Sequence, residues 1–368
     1  MWYESSCNRF QSTGRSAVPR QPVNAPVQRT PGHVGVRQVA REAGVSTATV
    51  SRAFNVPERV TPAIHARVME AARRLDYMPD PAARALSSQR SQRIGALIPT
   101  LDNSIFAHFI EALQKRLRKA GYGLLIASYG FDPKQEVEEA KGLLEGGVDG
   151  LVLAGERRER EIYEKVRARG VPYVLTSILS ENDAHPSVGY DNRAGGAALA
   201  RYLTDLGHRH IGMIQGPAAV NDRAVLRAQG VRDVLEERGI PLPADRVIDR
   251  HFSIDEGRTG LRHLMTHVPE LTAIICGNDI LAIGALLEAQ ALGLAVPDYI
   301  SIAGYDGLDL AARLPPGITT IDVPTGMMGT RVAETLLTML DGGPAPRTTV
   351  IETSLVVRGS TAAPRALN

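Results

Sequence analysis

The stretch Val39-Ala40-Arg41-Glu42-Ala43-Gly44-Val45-Ser46-Thr47-Ala48-Thr49-Val50-Ser51-Arg52 reads as two short helices meeting at a glycine turn. Val36, Val39, Ala40 and Ala43 share one face of the first helix, and Ala40 is small where the second must approach. Gly44 permits the turn, and Ser46 is placed to cap a helix running from Thr47 to Phe54. Val45 and Val50 fill the seam. Thr47, Ala48, Ser51 and Arg52 then project from the start and outer face of the second helix. In a helix-turn-helix these positions meet base edges in the major groove. Arg52 suits a bidentate contact to guanine, and Thr47 or Ala48 a thymine methyl. A generic helical hairpin with a solvated arginine has the same spacing, so this stretch alone leaves both readings open.

Working outward, Thr61-Pro62 is an N-cap and first-turn pair, and Ile64, Val68, Ala71 and Leu75 follow at helical spacing. Residues 1–33, rich in Pro, Ser, Gln, Asn and Arg, read as a disordered tail. On the other side, Pro79-Asp80-Pro81, residues 82–88 and a polar run to Arg93 read as a hinge over 80–93, too short to be a stable free helix. Charge divides at the same place. Residues 1–93 hold 14 arginines against 6 acidic residues, and the rest of the chain 28 Lys+Arg against 34 Asp+Glu. A basic head on an acidic body points to a polyanionic partner, although a solvated basic tail has the same signature.

At 368 residues the chain exceeds one ordinary core. No apolar run is long enough to span a bilayer, and residues 1–32 lack a secretory signal. Cys7 and Cys276 lie too far apart for a disulfide framework or a metal knuckle. The expectation is a protein of the reducing cytoplasm with no metal and no cofactor. After Arg93, strand-like runs (94–99, 124–128, 150–154, 173–176, 211–215, 273–276 and 301–304) alternate with helix-length amphipathic stretches. That rhythm calls for an α/β fold of parallel βαβ units, and the helix over 193–206 opens a second set.

The residues Val39-Ala40, Ala43-Gly44-Val45-Ser46, Thr49-Val50-Ser51-Arg52 and Asn55 resemble the LacI-type (lactose-repressor) family of bacterial transcriptional regulators. The likeness continues through Val60, Leu75-Asp76-Tyr77-Met78-Pro79 and Ala82-Ala83-Arg84-Ala85-Leu86. Later landmarks are Gly150-Leu151-Val152, Leu206-Gly207-His208, Gly277-Asn278-Asp279 and Gly304-Tyr305-Asp306. The resemblance covers essentially all of 34–360. It implies a three-helix helix-turn-helix headpiece (34–79), the hinge, and a two-lobed periplasmic-binding-protein-like, Rossmann-like effector domain (94–360). The first lobe would hold about 94–190 plus 324–341, the second 191–323 plus 342–360, and 361–368 would be a tail. It also implies a homodimer on near-palindromic double-stranded operator DNA. The DNA-contacting set is then Ser46, Thr47, Ala48, Thr49, Ser51, Arg52 and Asn55, with Leu86 as a hinge wedge in the minor groove. Gln38, where an aspartate is common, and Asp80, where an asparagine is common, depart from the pattern outside the reading helix.

Two lobes with parallel sheets bind ligand at the carboxyl ends of their strands. The effector candidates are therefore Asp102, Asn103, Phe106, Phe131 and Ser177 in the first lobe, and Arg227, Asn278 and Asp306 in the second. The resemblance carries Arg227 onto the family's ligand-gripping arginine, and Asn278 and Asp306 onto its polar contacts. Each has a plainer alternative: a turn cap for Asp306, a helix cap for Asn278, a surface ion pair for Arg227. Ser177 stands where many sugar-responsive relatives have an aspartate. Losing that charge while keeping Arg227 tilts the cleft toward an anion, and 103–106 and 129–133 look like gluconate-responsive members. The expected effector is a sugar or a sugar acid, and these departures favour the acid. An enzyme is disfavoured by the lack of a GxGxxG or phosphate-loop motif, with His208 and His210 read as structural. A transport-type sugar-binding protein would have no use for the helix-turn-helix.

Overall fold

Helix-forming periodicity and caps set the first unit. Val36–Glu42 (α1), Thr47–Asn55 (α2) and Pro62–Arg74 (α3) enclose a small core of Val39, Ala40, Val50, Ala53, Val68, Ala71 and Ala72. Gly44 turns the chain at a left-handed φ of 61°. Thr61 caps α3 by accepting from the Ile64 amide, with Pro62 in the first turn. The computed structural model describes residues 34–78, 90–181 and 184–366. The expected tail over 1–33, most of the hinge and Leu86 lie outside the described residues.

The second unit, described from Arg90 onward, is compact on its own. Its first sheet comprises β1 (Arg93–Ile98), β2 (Gly123–Ser128), β3 (Gly150–Ala154), β4 (Tyr173–Thr176), β5 (Ser187–Gly189) and β11 (Thr348–Val350) in the order β11-β5-β4-β3-β1-β2, all parallel. The second comprises β6 (Ile211–Gln215), β7 (Val247–Asp249), β8 (Ala273–Cys276), β9 (Ser301–Asp306), β10 (Thr319–Asp322) and β12 (Ser354–Val356) in the order β12-β10-β9-β8-β6-β7, with only β12 antiparallel. Ile94, Ala96 and Ile98 face one layer and Leu97 the other, so this strand is apolar on both sides, as a doubly covered parallel sheet requires.

Around the first sheet, α4 (Ser104–Lys119) packs against α12 (Thr325–Leu340), and α5 (Pro133–Glu145) against α6 (Arg160–Ala168). Around the second, α7 (Asn192–Asp205) packs against α8 (Asp222–Glu237), and α9 (Ile254–His267) against α10 (Asp279–Ala291). A short α11 (Asp309–Arg313) follows β9. In each sheet the strand order reverses beside the lobe's first strand, and ligands of open α/β sheets bind at such switch points.

Two boundaries differ from the sequence expectation. Residues 348–350 pair with Ser187–Gly189, so β11 belongs to the first lobe and the last crossing lies between Val350 and Ser354. Nor is the chain beyond 360 a loose tail up to Arg365. The Thr361 hydroxyl lies 2.8 Å from that of Thr319, the Ala362 amide donates to Ser301, and Arg365 lies 4.2 Å from the Tyr299 ring centroid. His208 is structural, held by Thr272 and the Ala362 carbonyl.

Candidate functional site

On the head, the Ser46 Oγ accepts from the Thr49 amide at 3.1 Å and lies 2.9 Å from its hydroxyl, fixing the start of α2. Such a cap contributes about 1 kcal/mol. Val50 and Ala53 face the core, while Thr47, Ala48, Ser51, Arg52 and Asn55 are exposed. Asn55 Nδ2 donates to Ser51 Oγ at 3.3 Å. Arg73 and Arg74 pair with Glu70 and Glu42. Arg52, and with it Arg37, Arg41, Arg59 and Arg67, is exposed without an ion pair among the described residues. The structure therefore brings together every candidate on the reading helix, with Thr49 half-buried and partly committed to the cap.

Between the lobes of the second unit lies a cleft open in part to solvent. Asn103, Phe106, Phe131, Ser177, Arg227, Asn278 and Asp306 all line it. Asp102 does not: it is exposed, in a turn where its amide donates to Thr100. The cleft also takes in residues the sequence reading missed, notably Tyr190, Asn221, Arg223 and Phe252. Tyr190 and Phe252 follow three-residue strands too short to stand out as apolar runs. Asn221 and Arg223 do follow a recognised strand, and the rule that found Arg227 also covers them.

Phe131, Ser177 and Asp306 have φ values of 62°, 66° and 118°. Left-handed backbone at non-glycine residues costs about 1–3 kcal/mol each and clusters where ligands bind. Phe131 of the first lobe and Phe252 of the second approach to 5.4 Å between ring centroids, forming an aromatic wall across the cleft.

Arg227 is buried and fully engaged. Its Nε donates to Asn192 Oδ1 at 2.9 Å, Nη1 to the Gly277 carbonyl at 2.7 Å and Nη2 to the Tyr190 hydroxyl at 3.1 Å. The guanidinium lies 3.8 Å from the Tyr305 ring centroid and 3.6 Å from Asp306 Oδ1. It is thus a keystone of the second lobe as well as a cleft residue. Asn278 caps α10 by accepting from the Leu281 amide, yet still lines the cleft. Asp306 Oδ1 is buried without a hydrogen-bond partner, and burial pushes its carboxyl up to about 6 against the pull of Arg227 and Arg223. Behind it, burial and the Asp306 charge push Asp279 up to about 7, although Thr320 and the Leu308 amide both donate to it.

Asp222 joins the lobes directly. Its Oδ2 accepts from the Glu156 and Arg157 amides of the first lobe at 2.6 and 2.8 Å, and its Oδ1 from Arg223 Nη1 at 2.9 Å. Burial alone would raise this carboxyl, but Arg223 and the three backbone amides hold it below the ordinary carboxylate range.

Family models place the chain in context. That for bacterial regulatory proteins, lacI family, matches residues 36–80, and that for a periplasmic binding protein-like domain matches 200–361. The chain is 30% identical to the HTH-type transcriptional regulator GntR of Escherichia coli (strain K12), over 83% of this chain and 92% of that protein. It is 32% identical to the ribose operon repressor of Haemophilus influenzae, over 88% and 98%. Among solved structures it is similar to the lac repressor dimer bound to operator and the anti-inducer ONPF, with a TM-score of 0.79, 25% identity, and 90% and 99% coverage.

Proposed function

The chain belongs to the LacI family of bacterial regulatory proteins, DNA-binding regulators of transcription, and from that premise we propose a homodimeric cytoplasmic repressor of sugar-acid metabolism, controlled by a sugar acid. One observation carries the effector class: the make-up of the cleft. Two guanidinium groups (Arg223, Arg227) share it with three amides (Asn103, Asn221, Asn278), an Asp306 oxygen that accepts no hydrogen bond, and phenyl rings. Ligand hydroxyls donate to Asp306 and accept from the amides, and the apolar face of the carbon skeleton lies on the rings. Ser177 adds no charge, so the cations favour a carboxylate-bearing ligand.

Each reading helix occupies one operator half-site, with Arg52 on a base edge and Leu86 as the minor-groove wedge. Dimerisation is supported by β2, an edge strand paired among the described residues with β1 alone, whose Leu125 and Ile126 are exposed. The relative solved on operator DNA is itself described as a dimer. Effector in the cleft changes the lobe angle and so the operator affinity, a reciprocal coupling between two sites.

Thermal unfolding with a panel of sugar acids and their neutral counterparts tests the effector class. A ligand at a hundred times its Kd stabilises by about 2.7 kcal/mol, so a sugar acid is expected to raise Tm by several degrees. A panel in which only neutral sugars stabilise the protein contradicts the proposal.

A further inference from the structure

Arg223 and Arg227 both line the cleft, both are buried, and they sit one helical turn apart on α8. Their hydrogen bonding differs. Every nitrogen of Arg227 donates to a protein acceptor. Arg223 donates only through Nη1, to Asp222, and among the described residues its Nε and Nη2 have no acceptor. Those two nitrogens form the side edge of the guanidinium, whose parallel N–H groups match the two oxygens of a carboxylate or a phosphate. Neither nitrogen is among the buried polar atoms left without a partner, so this bidentate edge is open to the cleft and free to take a ligand. The free anion-binding edge of the cleft therefore belongs to Arg223, whereas Arg227 is spent on Asn192, Gly277 and Tyr190.

Arg223 is also tied to the lobe contact. A Cβ on Gly155 of the first lobe would fall 1.8 Å from Arg223 Nη1, so only glycine leaves room for the guanidinium there. The same Asp222 carboxylate that takes Arg223 Nη1 takes the Glu156 and Arg157 amides through its other oxygen. An anion that fixes Arg223 also fixes Asp222 and aims it at the first lobe.

Resting on the sugar-acid reading above, we propose that Arg223 binds the anionic group of the effector, and that the Asp222 bridge from Arg223 to the backbone of Glu156 and Arg157 turns that binding into lobe closure. Specificity for an acid over its neutral counterpart then resides in Arg223. Carboxylate and phosphate share this chemistry, so the test carries both.

Isothermal titration calorimetry on the full-length protein uses gluconate, glucose 6-phosphate and glucose as probes, with wild type, Arg223→Gln, Arg223→Lys and Asp222→Asn. Wild type is expected to prefer one anionic probe to glucose; which one it is identifies carboxylate or phosphate. Arg223→Gln is expected to lose that preference by tenfold or more, with glucose binding changed less than threefold, and Arg223→Lys to recover part of it. Asp222→Asn is expected to weaken the operator response to the anion, read by fluorescence anisotropy, more than it weakens anion binding; an unchanged response overturns the bridge. Unfolding midpoints without ligand establish that the variants fold, and the charge-keeping Arg223→Lys separates loss of the cation from loss of packing. If wild type binds glucose alone, the sugar-acid reading fails and this inference with it. If wild type prefers an anion and Arg223→Gln retains the full preference, the role of Arg223 is overturned while the sugar-acid reading stands.

Discussion

The reading helix and the cleft differ in how they are assembled. All seven DNA-contacting candidates of the head lie within ten residues, 46–55, on one capped helix whose buried face is Val50 and Ala53. The cleft draws Asn103, Phe131, Ser177, Arg227, Asn278 and Asp306 from six separate segments of two lobes, five at strand ends and Arg227 from within α8. The outer face of the head's reading helix is exposed, with Thr47, Ala48 and Arg52 free of partners among the described residues and Ser46, Thr49, Ser51 and Asn55 bonded only to one another. The cleft is made of buried groups that mostly satisfy one another, with Arg223 and Asp306 left incomplete. A change at the outward residues of the reading helix, such as Arg52, therefore alters binding and spares the fold, whereas a change in the cleft alters both.

The largest expected effect is at Arg52. A bidentate base contact contributes about 1–3 kcal/mol, and a dimer loses it at both half-sites. Arg52→Ala is expected to weaken operator binding by about a hundredfold or more with effector affinity unchanged, read by anisotropy and calorimetry. Next is Arg227→Ala, which strands the Asn192, Gly277 and Tyr190 partners. Removing one member of such a buried charged network costs about 3 kcal/mol or more, visible as a lower urea midpoint. An unchanged midpoint would return Arg227 to a purely ligand-binding role and erase the contrast between the regions.

A smaller effect is expected with pH. Asp306 is faced by Arg227 and Arg223 from α8, Tyr190 after β5, Tyr305 beside it and Asp279 from α10. With Asp306 near 6 and Asp279 near 7, lowering the pH protonates both and removes negative charge from around the cleft. Affinity for an anionic effector is expected to rise by up to about tenfold from pH 7.5 to 5.5. A fall over that range would place the anion away from Asp306. The smallest effect is Ser46→Ala, expected to destabilise the head by about 1 kcal/mol through loss of the α2 cap, measured by unfolding.

The same contrast explains what was legible in the sequence. Gly44, the Ser46 and Thr61 caps and the Val39/Val50/Val68 core are local, so residue spacing specifies them. The strand rhythm likewise announced two parallel sheets. Asp102 was misassigned because proximity to a strand end does not say which way a turn points. Arg223 was missed because its distinction from Arg227 lies in which acceptors surround each guanidinium, and these come from residues up to 50 positions away. The place of β11 in the first sheet depends on its pairing with Ser187–Gly189, which three short residues do not encode in isolation.

The most direct measurement is operator binding with and without effector. DNA selected from random fragments by the full-length protein, then titrated by fluorescence anisotropy with sugar acids and neutral sugars, is expected to yield a near-palindromic site. Its affinity is expected to shift with a sugar acid in wild type, and to be lost in Arg52→Ala. Enrichment of no site by folded protein, or a site whose affinity no member of the panel changes, would contradict the coupling of a DNA-reading head to a metabolite-sensing cleft.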